Sequence, residues 1–281
     1  MESLSPCIAQ YHLLTSLDVS LNQLQELPAE ISGMHSLESI AATMNRLTSL
    51  PDLSGLRNLT VLAVNGNQLE AAALNAANLS AAAALESLFL QNNELTELPT
   101  MSGLCRLREL DFSDNKVEAF PPGFSDLRAL ERLYAAGNAL HNLSDQVSAL
   151  PSLVCLQISK NRLRELPKFV AALTQLEELD VSENDLSSLP QDLGQLQSLT
   201  LLDVSNNKLA NLPATLGDCK MLITLSCSEN ALTGLPASLA DLPELMDLEV
   251  SGNPMDVASL PGKLQALLTP EEDEELSEND S

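Results

Sequence analysis

The strongest constraint on how this chain folds is an asparagine that returns on schedule. It stands at Asn22, Asn45, Asn67, Asn93, Asn115, Asn138, Asn161, Asn184, Asn207, Asn230 and Asn253. From Asn115 onward every step is 23 residues, and the earlier steps are 23, 22, 26 and 22. Ahead of each asparagine runs the same apolar frame, as in "LEELDVSEN" from Leu176, "LTLLDVSNN" from Leu199 and "LMDLEVSGN" from Leu245. Behind most of them a second frame closes on Leu-Pro, as in "DLSSLP" from Asp185 to Pro190. A fixed period of this length belongs to a solenoid, in which each coil buries its apolar side only against its neighbours.

Within one coil the polarity alternates with period two. Leu179 and Val181 point one way, Glu178 and Asp180 the other, so "LEELDVS" reads as a short strand with one buried face. Stacked at ~4.8 Å, the strands of successive coils make a parallel sheet roughly 50 Å long. After the asparagine the chain turns, and Leu-Pro leads into an "xxLxxL" stretch that predicts a helical or extended return. Each turn leaves backbone N–H and C=O groups inside, and an amide side chain can both donate and accept. The eleven asparagines are therefore expected to form a structural ladder.

The pattern L-x-x-L-x-L-x-x-N-x-L-x-x-L-P, running from Leu14 to Val257, resembles the leucine-rich repeat family. That resemblance implies an α/β solenoid, a horseshoe of eleven repeats with a parallel β-sheet on its concave face. Its convex face would carry short helices or extended and 3-10 segments. The 23-residue "NxLxxLP" form resembles the intracellular Ras-group class, whose members are scaffolds for small GTPases and protein phosphatases. Departures exist. Leu143-Ser144 replaces Leu-Pro in the sixth unit, and an alanine-rich run, "EAAALNAANLSAAAA", lengthens the third.

Composition sets the ends and the compartment. Residues 1–13, with Ile8 and Tyr11, are expected to cover the first coil, residues 14–257 to form the solenoid, and 258–268 a capping helix. Residues 269–281 hold seven carboxylates and no base, the composition of a disordered acidic tail. Within it Ser277 precedes Glu278 and Asp280, the context of an acidophilic kinase site. No signal-peptide pattern opens the chain, and no apolar run reaches the ~20 residues of a membrane span. Five scattered cysteines suggest reduced thiols and a cytoplasmic location, with the nucleus as an alternative. The sequons at Asn58, Asn78 and Asn142 then read as coincidence.

The net charge is −25, and the chain without 269–281 still carries −18. Such a field repels phosphate backbones and anionic membranes and favours a partner with a basic surface. Nucleic-acid and membrane binding are thus not expected, and a monomer is expected in isolation. No phosphate loop, C-x-x-C pair or H-E-x-x-H motif appears, and His12, His35 and His141 lie far apart, so neither catalysis nor a cofactor or metal is expected. Cys155 falls in an outward strand position and reads as an unreactive surface thiol.

Function is expected on the outward side chains of the strands. One column, after the second frame leucine, contains Asp18, Ala41, Ala63, Phe89, Asp111, Tyr134, Gln157, Asp180, Asp203, Ser226 and Glu249. Its neighbour contains Val61, Glu109, Arg132, Cys155, Glu178, Leu201 and Asp247. Phe89 and Tyr134 read as exposed anchors, with Val61 extending an apolar patch. Glu109, Asp111, Glu178, Asp180, Asp203, Glu229, Asp247 and Glu249 make the centre and C-terminal half acidic. Arg132 and Gln157 complete the candidate contact set. The expected role is a non-enzymatic adaptor that binds a protein on the concave face, a small GTPase or phosphatase by resemblance. A regulator of basic proteins such as histones, or a component of a cytoskeletal or ciliary assembly, are the alternatives.

Overall fold

The computed structural model describes residues 1–268; the acidic tail expected over 269–281, with Ser277, lies outside them. Eleven three-residue strands form one parallel sheet in chain order. They are β1 (Ser16–Asp18), β2 (Ser39–Ala41), β3 (Val61–Ala63), β4 (Ser87–Phe89), β5 (Glu109–Asp111) and β6 (Arg132–Tyr134). β7 (Cys155–Gln157), β8 (Glu178–Asp180), β9 (Leu201–Asp203), β10 (Thr224–Ser226) and β11 (Asp247–Glu249) complete it. Each strand advances the register by one coil, so Leu179 faces Leu156 on one side and Leu202 on the other. These middle leucines are wholly buried, as the period-two pattern requires.

The turn after each strand needs one residue in the left-handed region. In all eleven coils it is the residue just before the asparagine, among them Asp114, Gly137, Glu183, Asn206 and Glu229. Gly137 takes that conformation without the steric cost of a Cβ, which there would also meet the Asp114 side chain at 2.3 Å. The asparagine then ties the turn to the coil before it. Asn184 Nδ2 donates to Val181 O at 3.1 Å, Ser182 O at 3.0 Å and, one coil back, Ile158 O at 3.0 Å. Its Oδ1 accepts from Leu163 N at 3.0 Å. The same pattern recurs from Asn45 to Asn253, and at the open end Asn22 Oδ1 accepts from the Met1 ammonium at 2.9 Å instead.

Most return paths hold one 3-10 turn of three to five residues, and the second and fourth coils hold none. Ile31, Met34 and Leu37, or Leu193, Leu196 and Leu199, are buried at intervals of three. The 3-10 turn, with 3.0 residues per turn, holds the first of each trio, and the other two follow just beyond it. Prolines 28, 167, 213 and 236 cap several of these turns with φ near −60°, which the pyrrolidine ring already holds. The third unit departs from this: its alanine run forms a true α-helix, α1 (Ala71–Ala76), because alanine has the highest helix propensity.

At the N-terminal end the cover is Leu4, Ile8 and Ala9 packed on the core, around a 3-10 turn at Pro6–Gln10. Tyr11, expected to share that role, is instead 66% exposed, because the chain turns away after Gln10. At the other end the helix expected over 258–268 starts later. A 3-10 turn spans Val257–Ser259, Leu260 and Pro261 follow, and α2 (Gly262–Leu268) closes the core with Leu264 fully buried.

Candidate protein-binding surface

The outward residues of the eleven strands form one continuous wall. The structure aligns Ala41, Ala63, Phe89, Asp111, Tyr134, Gln157, Asp180, Asp203, Ser226 and Glu249 in a single row across β2 to β11. The row beside it holds Val61, Ser87, Glu109, Arg132, Cys155, Glu178, Leu201, Thr224 and Asp247.

Phe89 and Tyr134 sit on β4 and β6 with Asp111 between them. They are half-buried rather than exposed, because side chains on strands this close shelter one another. Desolvation, followed by the nearby Cys155 and Glu109, pushes the Tyr134 phenol up to about 12. Burial also raises the Asp111 carboxyl above its ordinary value, against the opposing hydrogen bond from Ser113 N at 2.9 Å. A carboxylate thus stands partly desolvated between two aromatic neighbours in the register.

Cys155 corrects the sequence reading. It is only 4% exposed, because the longer Arg132 and Glu178 flank it in the register. Its Sγ donates to Glu178 Oε2 at 3.4 Å, and burial followed by that carboxylate pushes the thiol up to about 12. Glu229 also moves: it occupies the left-handed turn beyond β10, off the sheet.

The ion pairs lie beside the two rows rather than on them: Arg108 with Glu131 just before β5 and β6, and Lys116 with Glu94 and Lys160 with Glu183 at 3.6 Å in the turns after the strands. From 176 to 268 the sequence has three lysines and no arginine against fourteen carboxylates. None of those lysines serves the wall. Lys208 pairs with Asp185 beyond the strands, and Lys220 and Lys263 donate to the carbonyls of Gly217 and Leu242. Among the described residues, the acids of these two rows accept only from neutral donors, such as Thr224 Oγ1 on Asp247 at 3.2 Å and Ser226 Oγ on Glu249 at 2.9 Å.

Sequence reasoning missed a third row, one residue before each strand. It includes Glu38, Arg108, Glu131, Glu177, Thr200, Ile223 and Met246, and it continues the ladder, with Met246 N donating to Ile223 O at 2.9 Å. The signal was present, since these residues directly follow the first frame leucine of every coil.

A model described as a leucine-rich repeat region matches residues 71–205. A second, for the repeats of leucine-rich repeat and WD repeat-containing protein 1, matches 189–272. The chain belongs to the leucine-rich repeat family. A leucine-rich repeat protein of Leptospira interrogans is 27% identical over 95% of this chain and 80% of that one, with a TM-score of 0.66. YopM from Yersinia enterocolitica is 31% identical over 91% of this chain and 54% of its own, at a TM-score of 0.68. A TDR receptor is 27% identical over 89% of this chain and 45% of its own, at 0.80. The chain therefore spans only about half of the last two. No curated protein matches the sequence. Leucine-rich repeat proteins generally mediate protein–protein interaction, which is what a broad exposed wall on a rigid frame suits.

Among the described residues, no cluster of three or more His, Cys, Asp or Glu is placed to hold a metal, and no helix is long and apolar enough to cross a membrane.

Proposed function

We propose that this protein is a non-enzymatic intracellular adaptor that holds a protein partner with a basic surface on its concave face. The observation that supports this reading is the set of wall carboxylates from Glu178 to Glu249, which meet no cation among the described residues. Carboxylates on neighbouring strands repel one another, and a cationic partner relieves that repulsion. Phe89 and Tyr134 supply apolar anchors on β4 and β6, nearer the middle of the same wall. All five cysteines are free thiols, in keeping with a cytoplasmic or nuclear setting. The 23-residue repeat makes a small GTPase or a phosphatase subunit the first partner to try.

The test is affinity capture from native lysate with wild type, Phe89→Ala/Tyr134→Ala and Asp180→Lys/Asp203→Lys. Each double variant is expected to lose partners that wild type retains. Full retention by both removes the concave face from consideration. The acid excess also fits a regulator of basic proteins such as histones. Such a partner would lose affinity steeply with added salt and on deletion of 269–281, whereas a complex anchored on Phe89 and Tyr134 would be less sensitive to both.

A further inference from the structure

The C-terminal third carries an apolar strip that its fold does not use. Met221, Ile223 and Met246 are 51%, 38% and 66% exposed. Ile223 and Met246 occupy hydrogen-bonded neighbouring positions at the leading edge of β10 and β11, and Met221 lies two residues before Ile223. Leu201, half-buried on β9 next to Thr224, extends the strip onto the wall. A single exposed apolar side chain is ordinary, but a contiguous group on a sheet edge marks a contact surface.

What covers the strip is indicated by what lies beside it. The acidic row of Asp180, Asp203 and Glu249 runs three residues further along the strands, or ~10 Å away. That distance is about the width of one α-helix with its side chains. We infer that the strip and the acidic row together dock an amphipathic basic helix of a partner protein, lying across β8 to β11. Its apolar face would rest on Met221, Ile223 and Met246 and its lysines or arginines over the carboxylates. Four strands span roughly 14 Å, enough for about ten helical residues. Unbranched methionine side chains adapt to varied apolar partners, so the strip accepts a class of helices rather than one sequence. The chain's own 269–281, with seven carboxylates and no base, carries the wrong charge for the position.

The inference rests on the concave-face role proposed above, and one set of titrations separates the two. The probe is a fluorescein-labelled 18-residue peptide of leucine and lysine with all leucines on one helical face. Its controls are a scrambled peptide of the same composition and a leucine–glutamate counterpart. By fluorescence anisotropy on the full chain, the amphipathic basic peptide is expected to bind at least tenfold more tightly than either control. Ile223→Thr/Met246→Gln and Asp203→Asn/Glu249→Gln are each expected to weaken it at least tenfold, with unchanged circular dichroism, while Phe89→Ala/Tyr134→Ala leaves it intact. Equal binding of the scrambled peptide overturns the helix. Wild-type affinity in Ile223→Thr/Met246→Gln, with loss in Asp203→Asn/Glu249→Gln, overturns the strip and leaves the concave-face role standing. Wild-type affinity in both variants overturns the inference and leaves the concave-face role to the capture test above. A concentration-dependent dimer in sedimentation, abolished by Ile223→Thr/Met246→Gln, would assign the strip to a second copy of the chain and overturn the inference.

Discussion

At the scale of single residues, the molecule depends on amides where leucines might have been expected. Asn184 is 8% exposed yet satisfies the carbonyls of its own turn and of the coil before it. Asn184→Ala is expected to destabilise the fold by about 1–3 kcal/mol, the cost of leaving such groups buried and unpaired, and a denaturant titration measures it. Asp111 behaves oppositely. Its carboxyl is raised by burial, so ionisation costs the folded state stability above that folded pKa, and the cost declines as pH falls through it and is gone below the unfolded value. Asp111→Asn keeps an oxygen for Ser113 N and should therefore melt higher than wild type at pH 7, the advantage vanishing in acid. A lower melting temperature at pH 7 would contradict the desolvation account. Thiol chemistry offers a third check. Cys7 and Cys105 are exposed, while Cys155, Cys219 and Cys227 are buried with thiols raised to between about 11 and about 12. Native protein at pH 8 should consume two equivalents of a thiol reagent quickly and the other three only on unfolding.

At the scale of elements, the convex turns pack closely enough to distinguish one glycine from another. A Cβ on Gly194 would stand 2.1 Å from the backbone oxygen of Thr215 in the next coil, whereas at Gly234 nothing lies within 4 Å. Gly194→Ala should cost roughly 1–3 kcal/mol by forcing two coils apart, and Gly234→Ala should stay within about 0.5 kcal/mol of wild type. Equal effects in thermal melts would show that coil spacing is not held there. Much of this level is legible in the sequence. Leu193, Leu196 and Leu199 announce a three-residue turn, and Leu179 beside Glu178 and Asp180 announces the strand. The late start of α2 was less so, because "ASLPGKLQALL" carries helical spacing on both sides of Pro261. Only the packing of Leu260 and Leu264 on the last coil decides where the helix begins.

At the scale of the whole molecule, charge is the dominant variable. A chain of net charge −25 with few cross-strand cations repels itself. Its melting temperature should rise as sodium chloride increases from low concentration to ~0.5 M, since the screening length shrinks to a few ångströms. A flat or falling curve would mean that the carboxylates are spaced too widely to matter.

Leucine and asparagine spacing by itself determined the solenoid, the inward direction of the frame and the order of the strands, because a period is a local property that every coil repeats. It also placed Phe89, Tyr134 and the acids other than Glu229 on one wall. Shelter and edges were decided only by the tertiary structure. Cys155 is covered by Arg132 and Glu178 from coils 23 residues away in either direction, and Ile223 meets Met246 only because β10 lies against β11. Exposure depends on the neighbours across the stack, and a linear pattern names those neighbours without giving the size of the gap between them.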